Sequence, residues 1–133
     1  MTKHSRVDLK TVKLPKTPNA YLIAPKGYCS SVHAHDIAPI FDMSRDALWV
    51  RVLDVVNSMP RVVLHDQDKA QGYVDFTQRS LVFRFPDRIV INVLTGSTAK
   101  QSTIAVLSRS KYGRSDLGAN KARVTRMLSA IPG

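Results

Sequence analysis

Nineteen residues, Ser108 to Arg126, carry the densest chemistry in this chain: SRSKYGRSDLGANKARVTR. They hold six of the twenty basic residues and one acid, Asp116. Cations gathered where a strand hands over to a helix suit the reception of an anion, because the first helical turn adds unpaired N–H groups and a positive dipole end. Arg109, Lys111, Arg114 and Arg123 are the candidate anion-binding cations, with the Tyr112 ring beside them as a stacking surface. Asp116 competes for the same place. As a helix cap it would neutralise the dipole and hold an arginine internally. Ser110, Gly113, Ser115, Gly118 and Asn120 complete the segment with residue types that favour turns and caps.

Other chemistry is sparser. His33, His35 and Asp36 form a weak metal candidate, since residues i and i+2 of an extended chain share a side. A third protein ligand would come from Cys29 or His65. All ten acidic residues are Asp, so acid–base catalysis would fall to Asp or His. Asp75, between Tyr73 and Thr77 in an alternating stretch, reads as the exposed face of a half-buried strand. Ser108 and Ser110 lack a G-x-S-x-G setting, and no catalytic residue and no cofactor is assigned.

The elements that position these groups follow from periodicity. Residues 1–18 form a basic, flexible arm, with five cations against Asp8 and prolines at 15 and 18. A single domain spans 19–133. Its first part, to residue 43, reads as loops and extended pieces anchored by Tyr21, Ile23, Ile40 and Phe41. Ser44 caps a helix with Leu48, Val52, Val55 and Val56 at helical spacing, ended by Pro60. Period-two alternation then predicts five strands, around 61–65, 73–77, 81–85, 89–93 and 104–107, with a tight turn at Pro86–Asp87. A last helix, capped by Ser115 or Asp116, carries Leu117, Val124, Met127, Leu128 and Ile131 on one stripe. The fold class is α+β: a meander of about five antiparallel strands with an N-terminal-half helix and a C-terminal helix on one face.

The net charge of +10 over 133 residues predicts affinity for polyanions, either acidic lipid or nucleic acid. No RNP, zinc-finger or helix-turn-helix pattern accompanies it. One cysteine excludes an internal disulfide. No apolar run approaches the roughly 18 residues of a membrane span, and the polar start is not a signal peptide.

The run SRSKYGRSDLGANKARV resembles the signature of the bacterial domain-of-unknown-function family 1499. TPNAYLIAP (17–25) and FRFPD (83–87) resemble that family in the same order. Ser110, Gly113, Ser115, Asp116, Gly118, Asn120 and Arg123 match its motif. The resemblance implies no activity. The resemblance implies that many members carry a hydrophobic anchor ahead of this domain, which would make this chain either a soluble member or one that starts after an anchor. The expected location is cytoplasmic or membrane-peripheral, or the envelope if an anchor precedes.

Together these features lead to a non-enzymatic binding module for an anionic ligand or a membrane surface. The alternatives are a nucleic-acid-binding protein using the arm and junction, and an enzyme with a site between the sheet and the C-terminal helix.

Overall fold

The computed structural model describes residues 6–14, 19–30, 32–82, 84–110 and 118–131. Eight elements follow one another: β1 (Ala20–Ala24), β2 (Asp36–Ile37), α1 (Arg45–Ser58), β3 (Val62–Asp68), β4 (Tyr73–Arg79), β5 (Pro86–Thr95), β6 (Ser102–Ser110) and α2 (Ala119–Ser129). The strands make one six-stranded sheet in the order β2-β1-β6-β5-β4-β3. Strands β3 to β6 are the antiparallel meander; β1 joins it antiparallel to β6, and β2 pairs parallel to β1. The α+β class with two helices therefore holds.

Both helices cover one face. From α1, Leu48, Trp49, Val52 and Val56 pack with Val124, Met127 and Ile131 from the α2 region onto Phe76, Ile89, Ile91, Ile104 and Val106. Helix α1 starts as its sequence dictates: the Ser44 hydroxyl accepts from the Ala47 N–H at 3.2 Å, and Asp46 sits in the first turn. Arg45 ties the helix start to the β3–β4 turn and to β5, donating to the carbonyls of Lys69, Ala70 and Val93. Gly72 in that turn has φ +66°, and a Cβ there would stand 2.3 Å from the Val93 carbonyl oxygen. Only glycine meets both demands.

The opposite face is covered too, and this revises the flexible arm for residues 6–14. Leu9 is fully buried and Val12 nearly so, against Leu22, Tyr73, Val90, Ala105 and Leu107. Arg6 bonds Asp66 and Asp68, each at 2.9 Å, and lies over the Tyr73 ring. The Val7 N–H donates to the Tyr73 hydroxyl at 2.9 Å. With apolar partners on both sides, β1 reads AYLIA, a continuous apolar run without alternation. That is why the segment looked like loop. Tyr21, Ile23 and Phe41 anchor it as expected, but Ile40 is 64 % exposed.

Two further local expectations are corrected. Leu81, Val82, Arg84 and Phe85 are not in a strand but in the connection of the β4–β5 hairpin; Phe83 lies outside the described residues. The Ser80 N–H donates to the Phe85 carbonyl at 3.0 Å, and the Phe85 N–H returns to the Ser80 hydroxyl at 2.9 Å. Arg84 adopts φ 60°, which breaks an extended chain. Pro86 and Asp87 are the first residues of β5, paired with Arg79 and Gln78; proline is tolerated at a strand's first position. Helix α2 starts at Gly118, an N-cap at φ 83° with no side-chain cap bond. Ser115, Asp116 and Leu117 lie outside the described residues.

If residues 6–14 are structural, Leu9→Ala destabilises the protein by about 2–5 kcal/mol in urea unfolding, as for other buried leucines; an unchanged midpoint would mean a free arm. The Asp68 carboxyl is held below its usual range, first by the Arg6 hydrogen bond. A depressed folded pKa contributes stability above the unfolded pKa and loses it as pH falls through the folded one. Arg6→Ala should therefore flatten the acid limb of the stability–pH curve while leaving its neutral-to-alkaline shape alone.

Candidate functional site

Arg123, from the first half of α2, turns inward rather than toward a ligand. Its Nε donates to Gln78 Oε1 at 2.6 Å and its Nη2 to Asp87 Oδ2 at 2.6 Å. Its Nη1 donates to Ser108 Oγ at 3.0 Å and to Asn120 Oδ1 at 2.8 Å. The Asn120 amide then donates to the Asn19 carbonyl and to Ser110 Oγ, each at 3.0 Å. Gln78 in turn donates to the Pro60 carbonyl at 3.1 Å. One guanidinium thus ties α2 to β4, β5, β6, the entry to β1 and the exit of α1. Among the described residues no buried side-chain nitrogen or oxygen lacks a partner. Arg123, which the sequence offered as an anion-binding cation, is bonded internally instead, and Asp87 supplies its carboxylate.

The sequence-level cluster does not come together as one site. Strand alternation puts Ser108 and Ser110 on the helix side and Arg109 on the arm side, so Arg109 and Arg123 lie on opposite faces. Arg109 stands directly across from Arg88. Burial lowers its pKa, and the Arg88 charge lowers it further. Lys111, Tyr112, Gly113, Arg114, Ser115 and Asp116 lie outside the described residues.

Asp75 is not the exposed residue that alternation suggested. It is 1 % exposed beneath the arm, where Arg88 Nε bonds Oδ1 at 3.0 Å, Arg88 Nη2 pairs with Oδ2, and the Tyr73 hydroxyl donates to Oδ2 at 3.1 Å. His65 Nε2 meets Thr77 Oγ1 at 2.6 Å. Neither Asp75 nor His65 borders the space beside α2. The metal candidate is not assembled either. His35 Nδ1 accepts from the Leu22 N–H at 2.9 Å and Asp36 accepts from the Tyr21 hydroxyl. No group of three potential ligands occurs among the described residues.

Among the described residues two open grooves stand out. The arm-side groove, about 480 Å³, is lined by Arg6, Asp8, Lys10, Tyr28, Tyr73 and Asn92. Its charges are mixed, and Arg6 is committed to Asp66 and Asp68. The other groove, about 310 Å³, lies between the end of α1, the corner where the entry to β3 meets the end of β4, and α2. Val55, Met59, Met127 and Ala130 give it apolar walls; Arg61, Arg79, Arg123 and Arg126 give it charge, and among the described residues no acid lines it. Among the described residues, Arg61, Arg79 and Arg126 make no ion pair. Arg61 is held at φ 56°, its carbonyl accepting from the Arg79 N–H at 3.1 Å and its Nε donating to the Arg79 carbonyl at 2.9 Å. Arg79 Nη1 donates to the Arg84 carbonyl at 2.9 Å. Positive φ at a non-glycine residue is strain that the surroundings must hold, and such strain gathers at functional sites. Arg61 and Arg84 are the two such residues described, and they flank the same corner. Deeper in, the space enclosed by Val52, Ile91, Ile104 and Val124 amounts to about 10 Å³, at the lower limit for one water. The helix–sheet interior is solid, and the groove is at its rim.

Arg61 and Arg79 escape sequence reading because they are scattered in the chain and meet only where the entry to β3 lies beside the end of β4. Asp87 had a signal: FRFPD and the α2 segment both carry the family resemblance, and these two segments share the buried ion pair.

Breaking that pair from one side leaves a buried charge without its partner. Asp87→Leu or Arg123→Met alone should cost about 3–5 kcal/mol in denaturant unfolding. The double variant should cost clearly less than the sum, and simple additivity would refute the coupling.

Searches of curated proteins and of solved structures return no match. The family comparison does, and it covers nearly the whole chain. A family model described as "Protein of unknown function (DUF1499)" matches residues 10–131, spanning both helices and all six strands, so the chain belongs to that family.

Proposed function

We propose that this protein is a non-enzymatic binding module for an anionic amphiphile, a lipid-like anion with a charged head and an apolar tail. The observation that carries this reading is the groove beside α2, where among the described residues Arg61, Arg79 and Arg126 have no carboxylate partner and stand above apolar walls. Arginine forks suit phosphate and carboxylate oxygens bidentately. Val55, Met59, Pro60, Met127 and Ala130 offer the apolar surface that a tail would cover. The two methionines supply an adaptable lining. Arg123 contributes from behind: its charge is balanced by Asp87, and its role is to hold α2 at the groove's edge. The net charge of +10 favours encounter with such anions.

Calorimetric titration with dodecyl phosphate, and with inorganic phosphate and dodecanol as controls, tests the reading. Dodecyl phosphate should bind, with each half alone at least about tenfold weaker, because head and tail contribute separately. Arg61→Glu combined with Arg126→Glu should abolish binding while the unfolding midpoint stays near wild type, since surface charges contribute little to stability. Binding unaffected by that double variant would sink the groove as the site.

A further inference from the structure

The β4–β5 hairpin presents the largest exposed apolar side chains close to the groove. Leu81 is 69 % exposed, Val82 75 % and Phe85 54 %, on one short connection. Its first residue, Ser80, and the preceding Arg79 line the groove. Cations surround this tip: Arg79 and Arg84 within the hairpin, Arg61 and Arg126 around the groove. The nearest acid in the chain, Asp87, is spent on Arg123.

The connection is also rigidly made. Ser80 and Phe85 close it through a backbone bond and a hydroxyl bond, and the Arg79 guanidinium grips the Arg84 carbonyl. A floppy loop would fold its apolar residues back onto the sheet. Here three of them are held outward at the end of the molecule where α1 ends, β6 ends and α2 begins.

We infer that the β4–β5 hairpin tip inserts into the surface of an acidic lipid bilayer, with Leu81, Val82 and Phe85 entering the acyl boundary and the surrounding arginines meeting anionic headgroups. An apolar wedge ringed by cations is the arrangement that binds the interface of a membrane rather than spanning it. Each basic residue near an acidic surface adds attraction, and arginine can keep its stem in the apolar layer with its head among phosphates. Among the described residues no helix is long and apolar enough to cross a membrane, so contact of this kind would be peripheral in these elements. Insertion would bring the mouth of the groove to headgroup level. This goes beyond the amphiphile reading: it shares Arg61, Arg79 and Arg126 with it and adds Leu81, Val82 and Phe85, which the groove does not use.

The test places a tryptophan at the tip. The wild type's one tryptophan, Trp49, is 5 % exposed in the core and supplies a constant background. With vesicles of phosphatidylcholine containing phosphatidylglycerol, Val82→Trp should shift its emission to the blue and be quenched by brominated acyl chains. Phosphatidylcholine alone should give little change. The variant Leu81→Ser/Val82→Ser/Phe85→Ser should lose at least about tenfold in co-sedimentation with the acidic vesicles, given the apolar area removed. It should still bind dodecyl phosphate. No emission shift with acidic vesicles, an equal shift with neutral ones, or a concentration-dependent shift without any lipid, which would mark self-association, overturns the inference. Dodecyl phosphate binding without tip insertion leaves the groove reading standing alone. Tip insertion without dodecyl phosphate binding removes the groove reading and supports the hairpin.

Discussion

The ion pair between Arg123 and Asp87 is the constraint around which the rest of the molecule is arranged. Both side chains are about nine-tenths buried, so each charge has left most of its water and depends on the other. The cost of burying a guanidinium is met only when all its donors are satisfied, and here Gln78, Ser108 and Asn120 take the donors that Asp87 does not. These partners come from three strands and a helix, so the requirement fixes where α2 starts and how far it sits over the sheet. Asn120 extends the same demand to Asn19, which places the entry to β1 beside the end of β6.

That arrangement also explains why the groove exists. With α2 tethered through Arg123 at its sheet-facing side, Arg126 and Ala130 are left facing the end of α1. The gap cannot close, because Arg61 and Arg79 occupy its opposite wall in a hydrogen-bonded, positive-φ corner. Residues that hold the fold and residues that line the groove are therefore neighbours with different surroundings: Arg123 pairs with Asp87, while among the described residues Arg61, Arg79 and Arg126 make no ion pair. On the far face, a second set of charges is handled by burial. Asp75 balances Arg88 under the arm, and Arg109 lies beside them with its charge made less favourable by burial and by Arg88.

Sequence periodicity served well where the two faces of an element differ in chemistry. Helix α1 from Ser44 has an exposed side, and in β4 and β5 Val74, Phe76, Ile89 and Ile91 alternate with Asp75, Thr77, Arg88 and Asn92. It failed where that contrast is missing. β1 is apolar on both sides, so AYLIA shows no period. The stretch LVFRF alternates large residues like a strand, yet Leu81, Val82, Arg84 and Phe85 lie in a hairpin connection, because nothing in a local pattern states that the chain must reverse there. The arm looked mobile for its charge and prolines, while Leu9 and Val12 gave too short an apolar signal to announce a cover for the second face.

From its sequence alone this protein is a basic α+β domain of an identifiable family, with an arginine-rich junction leading into a terminal helix. These properties reside in composition, local period and a contiguous motif, all of which are written along the chain. The tertiary structure alone decided which arginines are spent and which are left. Charge compensation depends on distances between residues far apart in sequence: Arg123 and Asp87 are 36 positions apart and touch, whereas Arg109 and Arg123 are close in sequence and lie on opposite faces of the sheet. A strand's alternation and a helix's placement set those distances, and no linear reading of charge can supply them.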